Sequence, residues 1–267
     1  MIDIHNHIIY GVDDGARDID ESLKMVKLYQ KAGFDQIIAT SHYDRSRYMV
    51  DAGEIKEKVD ILNEEISKQA IDFKIYPGHE IQVELDMIKK LKSGELLTLN
   101  GSKYVLCELS FVNKPNFLKD LFYNMQLEGY IPIIAHAERY PYVEDHIEWL
   151  EDFIKAGALV QINYASIKSH ADTTRELLQR NMVHIIGTDA HQSEWRSPDI
   201  RAYKDDILEM IDEEKFEKLS TTNPKKVINN QFISSEYDKV LREDKKKKKS
   251  IFNFWRKKWR LNVLYLP

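Results

Sequence analysis

The 267-residue chain contains a single cysteine. No disulfide can form within it, so packing alone must hold the fold, in what is expected to be a reducing, cytoplasmic setting. No apolar run approaches the roughly 20 residues that a membrane-spanning helix requires. A cleavable leader is not expected, because its removal would take away His5 and His7, the first residues of chemical interest. Acid is missing from Lys245 to Arg260, where nine basic residues stand together, while acids dominate the rest of the chain. An acidic body argues against nucleic acid as a partner, since phosphate backbones select basic faces. What is present is ordinary for a globular enzyme, 43% hydrophobic and 31% charged residues, with length enough to bury a sizeable core.

Short β-rich runs alternate with amphipathic helical stretches through most of the sequence. The runs are residues 2–5, 36–40, 73–77, 104–108, 131–135, 158–163 and 184–188, and helical periods cover 21–32, 54–69, 115–128, 146–156 and 173–181. Gly33, Gly129 and Gly157 fall just past such stretches, where a left-handed residue ends a helix. This alternation predicts a parallel sheet. An open, doubly wound sheet would gather its ligand site at one switch point from few strand ends. Here six of seven strands carry a His, Asp or Glu at or just past the C-terminal end, and that many tips converge only in a closed ring. The expected fold is therefore an α/β barrel over residues 1–233, followed by a linker and basic–aromatic tail over 234–267. Asn223-Pro224 reads as a turn, with Val227, Ile228, Phe232 and Ile233 packing a last helix on the body.

The tips carry the chemistry. His5 and His7, two apart on extended backbone, point the same way and can reach one metal ion. Strand two delivers His42, strand three His79 and Glu80, strand four Glu108, strand five His136 and strand seven Asp189 and His191. Any one of these is unremarkable as a structural residue, but their recurrence in register points to a polynuclear metal site. Imidazoles and carboxylates without thiolate suit manganese, iron or zinc, and so many donors imply two or three ions. Paired ions clamp an in-line displacement at phosphorus. Arg139 and Arg196 follow the fifth and seventh strands, where guanidinium groups match phosphate oxygens. The expected substrate is a phosphate ester.

These residues resemble the polymerase-and-histidinol-phosphatase family, and within it the manganese-dependent protein-tyrosine phosphatases of Gram-positive capsule and exopolysaccharide clusters. The resemblance rests on Met1-Ile2-Asp3-Ile4-His5-Asn6-His7, Val12-Asp13-Asp14-Gly15, Thr40-Ser41-His42, Gly78-His79-Glu80-Ile81, Glu108, Ile134-Ala135-His136-Ala137-Glu138-Arg139 and Gly187-Thr188-Asp189-Ala190-His191, in order over about residues 1–230. It implies a distorted (β/α)7 TIM-like barrel with three ions. One would take His5, His7, Glu80 and Asp189, a second Glu80, Glu108 and His136, and a third Asp14, His42 and His191. Spacing alone does not choose between Asp13 and Asp14; the family pattern favours Asp14 and leaves His79 out. The reaction implied is hydrolysis of phosphotyrosine by a metal-bound hydroxide, on a membrane-associated tyrosine autokinase that regulates polysaccharide synthesis. A tyrosyl leaving group, with a pKa near 10, predicts better turnover of aryl than of alkyl phosphates.

Two other readings compete with this one: a small-molecule phosphatase resembling histidinol phosphatase, and a metal-binding scaffold without turnover. A cysteine phosphatase is excluded, because its phosphate loop needs an Arg six residues after the nucleophile and Cys107 has Asn113 there. Cys107 alternates with Glu108 and should face the helices as a core thiol. His146, His170 and His184 fit surface or strand-start positions. Tyr10, Tyr43 and Tyr48 fit loops after strands one and two, at the mouth of the site or simply as loop aromatics. In the tail, Trp255 and Trp259 share a helical face with Phe252 among basic residues, a pattern suited to an anionic membrane surface.

Overall fold

The computed structural model describes residues 1–235 and 237. Its strands in chain order are β1 (Ile2–Asp3), β2 (Gln36–Asp44), β3 (Tyr48–Met49), β4 (Lys74–Gln82), β5 (Tyr104–Glu108), β6 (Ile131–Ile134), β7 (Leu159–Asn163) and β8 (Ile185–Gly187). All but β3 run parallel in the order β1-β2-β4-β5-β6-β7-β8, and β3 folds back antiparallel on the end of β2. The first and last strands meet just past their ends. There the Asp189 amide donates to the His5 carbonyl and the His7 amide to the Ala190 carbonyl, both at 2.8 Å. The sheet thus nearly closes into the expected TIM-like α/β barrel.

Local chemistry sets the helix ends. Asp18 caps the helix Ile19–Lys31 by accepting from the Glu21 amide, and Asp51 caps Ala52–Lys68 by accepting from Gly53 and Glu54. Gly33, Gly129 and Gly157 all have positive φ, as their places after helical stretches predict. Strands β2 and β4 run longer than the hydrophobic pattern indicated. They pair residue for residue from Gln36 with Lys74 to Tyr43 with Ile81, which carries His42, His79 and Glu80 inside the ladder. Asn223-Pro224 is not a turn: it opens the helix Asn223–Ile228, since proline in a first turn has no amide to leave unpaired.

Alternation along the strands divides the core in two. Tyr104, Leu106, Ile133, Leu159 and Ile185 fill the inside of the ring, whereas Val105, Cys107, Ile134, Val160 and Ile186 pack outward against the helices. Each aliphatic side chain so buried contributes about 1.5–3 kcal/mol. Val227 and Ile233 join the inner cluster and close the ring's lower end, while Phe232 stays 69% exposed. Cys107 is buried in the outer layer, and burial pushes its thiol up, away from the reactive thiolate.

His184 sits at this lower end, where its Nδ1 accepts from the Val160 amide at 3.1 Å. Burial pushes its pKa down to about 4 from 6.5. The unfolded chain therefore takes up this proton before the folded one does. The stability it supports is complete above pH 6.5 and lost as the pH falls toward 4. Between pH 7.5 and pH 5 this one group should cost about 2 kcal/mol. Denaturant melts at the two pH values should differ by that much more in the wild type than in a His184→Asn variant.

Among the described residues no helix is long and apolar enough to cross a membrane. The basic–aromatic segment from Lys245 onward, with Trp255 and Trp259, lies outside the described residues.

Candidate metal centre

The inner positions at the C-terminal ends of the strands are polar, and they converge. Glu80 is the hub. Its Oε1 lies 2.9 Å from His136 Nε2 and 3.1 Å from His5 Nε2, and its Oε2 lies 3.1 Å from His42 Nδ1 and 3.5 Å from His7 Nε2. The register explains part of this, since His42 stands beside Glu80 on adjacent parallel strands. Asp189 Oδ1 reaches His5 and His7 Nε2 at 3.5 and 3.4 Å, and Asp14 Oδ1 lies 3.5 Å from Nε2 of both His42 and His191. Glu108 Oε1 is 3.6 Å from His136. All nine expected ligand side chains therefore meet in one cluster.

Four groupings bring donor atoms within 4.8 Å of one another: His7, Asp14, His42 and His191; His5, His7 and Glu80; His42, Glu80 and Glu108; and His5, His136 and Asp189. The last differs from the family-derived partition, which set His136 with Glu80 and Glu108; His136 in fact touches both sets. The donors fit divalent cations on their own chemistry. His5 Nε2, His7 Nε2 and Glu80 Oε2 are buried within the cluster and make no hydrogen bond, a costly state unless a further group satisfies them.

A second layer of residues aims these donors. Gln161 Oε1 accepts from His5 Nδ1 at 2.9 Å, Asp13 Oδ2 from His7 Nδ1 at 3.0 Å, and the Asp189 carbonyl from His191 Nδ1 at 2.9 Å. Each contact fixes the tautomer that leaves Nε2 as the lone-pair donor facing the cluster. Asp13 also accepts from the Gly15 and His42 amides, so its oxygens are spent on positioning while Asp14 faces the donors. Strand β7, which offers no ligand, contributes Gln161 and Asn163. The Gln161 amide donates to Asn163 Oδ1, and Asn163 donates to Asp189 Oδ2, both at 2.8 Å. His79 is elsewhere: it bonds the Val50 carbonyl and the Leu97 amide, and burial holds it neutral with a pKa of about 4.

Backbone geometry shows how tightly the site is made. His136, Asp189 and Arg196 all adopt left-handed φ, which costs a side-chain-bearing residue about 1–3 kcal/mol. A Cβ on Gly15 would lie 2.0 Å from the His7 carbonyl oxygen, so only glycine lets that loop bring Asp13 and Asp14 against His7. Burial would raise the Glu80 and Asp189 carboxyls, yet the surrounding imidazoles, and Arg196 beside Asp189, hold both well below the usual carboxylate range. The hub is thus anionic, as cation binding demands.

A cavity of about 140 Å³ opens above the cluster, lined by Asp14, His42, Glu80, Glu108, His136 and Asp189 together with Arg139 and Arg196. Arg139 Nη1 donates to Asp189 Oδ2 at 2.9 Å, and Arg196 contacts the same oxygen and His191 Nε2. Asp44 at the end of β2, Arg47 in the turn after it, Tyr48 at the start of β3, and Phe111, after β5, complete the lining. Sequence reasoning missed Arg47 and Phe111. Tyr43 is instead buried in β2 with its hydroxyl on Glu95.

A model of the capsular polysaccharide synthesis family CpsB/CapC matches residues 1–229. The chain belongs to the CpsB/CapC family. Among its relatives, the tyrosine-protein phosphatase YwqE of Bacillus subtilis is 35% identical over 202 residues, covering 74% of this chain and 80% of YwqE. The tyrosine-protein phosphatase CpsB of Streptococcus pneumoniae is 31% identical over 246 residues, 87% of this chain and all of CpsB. A crystal structure from work on these two proteins, described there as metal-dependent tyrosine phosphatases, matches with a TM-score of 0.82 and 32% identity over 87% of this chain and 96% of that one. The CpsB/CapC assignment agrees with the phosphatase group to which the strand-end motifs pointed.

Proposed function

We propose that this chain is a metal-dependent tyrosine-protein phosphatase of capsular polysaccharide synthesis. The observation that carries the reading is the cluster of nine imidazole and carboxylate side chains beneath a cavity lined by arginines. His5, His7, Glu80 and Asp189 would hold one ion, Glu80, Glu108 and His136 a second, and Asp14, His42 and His191 a third. Manganese is the preferred metal of this reading, and the donors also suit iron or zinc. Bound ions would supply water acidified toward neutrality and a counter-charge for the phosphoryl oxygens.

The chain's own residues do the rest. Arg139 and Arg196 are held at the cavity wall by Asp189 and would offer their remaining N–H donors to a phosphoryl group. Arg47 lines the same cavity with no carboxylate partner among the described residues, which leaves its charge available to the substrate. Gln161, Asp13 and Asn163 keep the donors in place through turnover. Exchanging Arg139 for Lys keeps the charge but loses the fork. It should lower kcat/KM on phosphotyrosyl peptide by about 100-fold with metal content unchanged, checked by steady-state kinetics beside metal analysis.

The partner of this reading is a phosphotyrosine-bearing protein, a membrane-associated tyrosine autokinase, met at the inner face of the membrane. The tail from residue 245 would raise that encounter by contact with anionic lipid, and deleting it should abolish sedimentation with anionic vesicles without changing peptide turnover. The reading as a whole is tested by comparing phosphotyrosyl peptide, phosphoseryl peptide and L-histidinol phosphate. A kcat/KM at least tenfold higher on the phosphotyrosyl peptide is expected. Preference for histidinol phosphate would replace the proposal with a small-molecule phosphatase, and turnover of none of the three would leave a scaffold.

A further inference from the structure

The cavity is ionic except at two places. Tyr48 and Phe111 are the lining residues with a benzenoid ring, and each stands against a different ligand imidazole. The Tyr48 ring lies parallel to His42, 5.8 Å between centroids and 10° between planes. Phe111 stacks on His136 at 5.5 Å and 26°, with the Arg139 guanidinium 5.3 Å from its centroid. The two reach the site from different elements, Tyr48 from β3 and Phe111 from the loop after β5.

Phe111 is also 38% exposed. The ring already holds His136, Tyr140 and the Arg139 guanidinium on part of its surface, and the part left open gains further once something apolar covers it. Strand β3 and the loops after β4, β5 and β8 carry further exposed apolar side chains, namely Met49, Leu85, Val112 and Trp195. The collar around an ionic centre is thus partly apolar.

A phosphate ester seated on Arg139 and Arg196 over the donor cluster must direct its organic group outward, through this collar. We infer that Tyr48 and Phe111 form the walls of a slot for the aryl ring of the ester, so that the site selects aryl over alkyl phosphates by contact as well as by leaving-group chemistry. Ring-on-ring contacts of this kind add to the energy of simple apolar burial. The inference rests on the phosphatase reading and names what recognises its substrate class. Tyr48 and Phe111 are specificity residues here; no proton or bond change passes through them.

Non-hydrolysable phosphonates separate binding from leaving-group effects. Phenylphosphonate and methylphosphonate are measured as competitive inhibitors of the metal-loaded wild type and of Phe111→Leu, Tyr48→Leu and the double variant, with bound metal quantified in each. Leucine keeps apolar bulk and removes the ring. Each single variant should weaken phenylphosphonate by roughly 5- to 10-fold, with methylphosphonate shifted less than about 2-fold and metal content unchanged. Parallel weakening of both inhibitors, or loss of metal, would mean the rings only brace His42 and His136 and would overturn the slot. So would phenylphosphonate inhibition that stays at the wild-type level in the variants. A wild type that hydrolyses phosphotyrosyl peptide while showing such a result loses only the slot; one that turns over no aryl phosphate overturns the phosphatase reading as well.

Discussion

Exchanging Glu80 for alanine should abolish phosphatase activity, a fall of at least about 1,000-fold, and strip bound metal from the protein. The magnitude follows from position. Glu80 contacts His5, His7, His42 and His136 at once and belongs to two of the four donor groupings. Its loss removes an anionic donor common to them and leaves four imidazoles, three of them buried, facing one another. A Glu80→Gln variant keeps the volume but not the charge, and should fall nearly as far in metal content. Elemental analysis beside phosphate release checks both. Full metal content in either variant would remove Glu80 from its central place.

The second large effect concerns the fold. Asp3 is fully buried, and its carboxylate accepts from the Tyr29 hydroxyl at 2.7 Å, the Thr188 hydroxyl at 2.6 Å and amide at 3.0 Å, and the Asn6 side chain at 3.2 Å. Through these bonds β1 is fastened to the end of β8, where the ring closes. An Asp3→Ala substitution strands several buried donors and should cost about 3–5 kcal/mol, a drop near 10 °C in melting temperature. Asp3→Asn, which preserves shape but can accept less, should fall between. Denaturant melts of the three proteins decide it, and a wild-type midpoint for Asp3→Ala would show that the closure is held elsewhere.

The residues of the donor cluster other than Asp14 were legible because they stand at or just past the ends of apolar runs, where an ionisable side chain is expensive unless used; Asp14 came from the family pattern alone. Asp13 and Asp14 were not separable, since both are acids one residue apart; what sorts them is whose oxygens the Gly15, His42 and His7 donors occupy. Gln161 and Asn163 left no signal. Amides on a strand with no ligand look like ordinary polar residues, and their work depends on pairing with His5 and Asp189 from far along the chain. Arg47 and Phe111 were hidden for another reason: turns and loops carry no hydrophobic period, and only the folded ring shows that both face the cavity. The lengths of β2 and β4 escaped for the same cause, as Ser41-His42-Tyr43-Asp44 breaks the apolar run while the ladder continues. The helix at Asn223 was misread because Asn-Pro marks turns and helix starts alike.

Metal dependence is the centre of this account, and it is tested by stripping the protein with a chelator, removing the chelator, and reloading part with manganese. Phosphate release from a phosphotyrosyl peptide is then followed for untreated, stripped and reloaded protein, with metal content measured in each. The account predicts turnover in the first and third and none in the second. Turnover that persists in protein shown to be free of metal would contradict it.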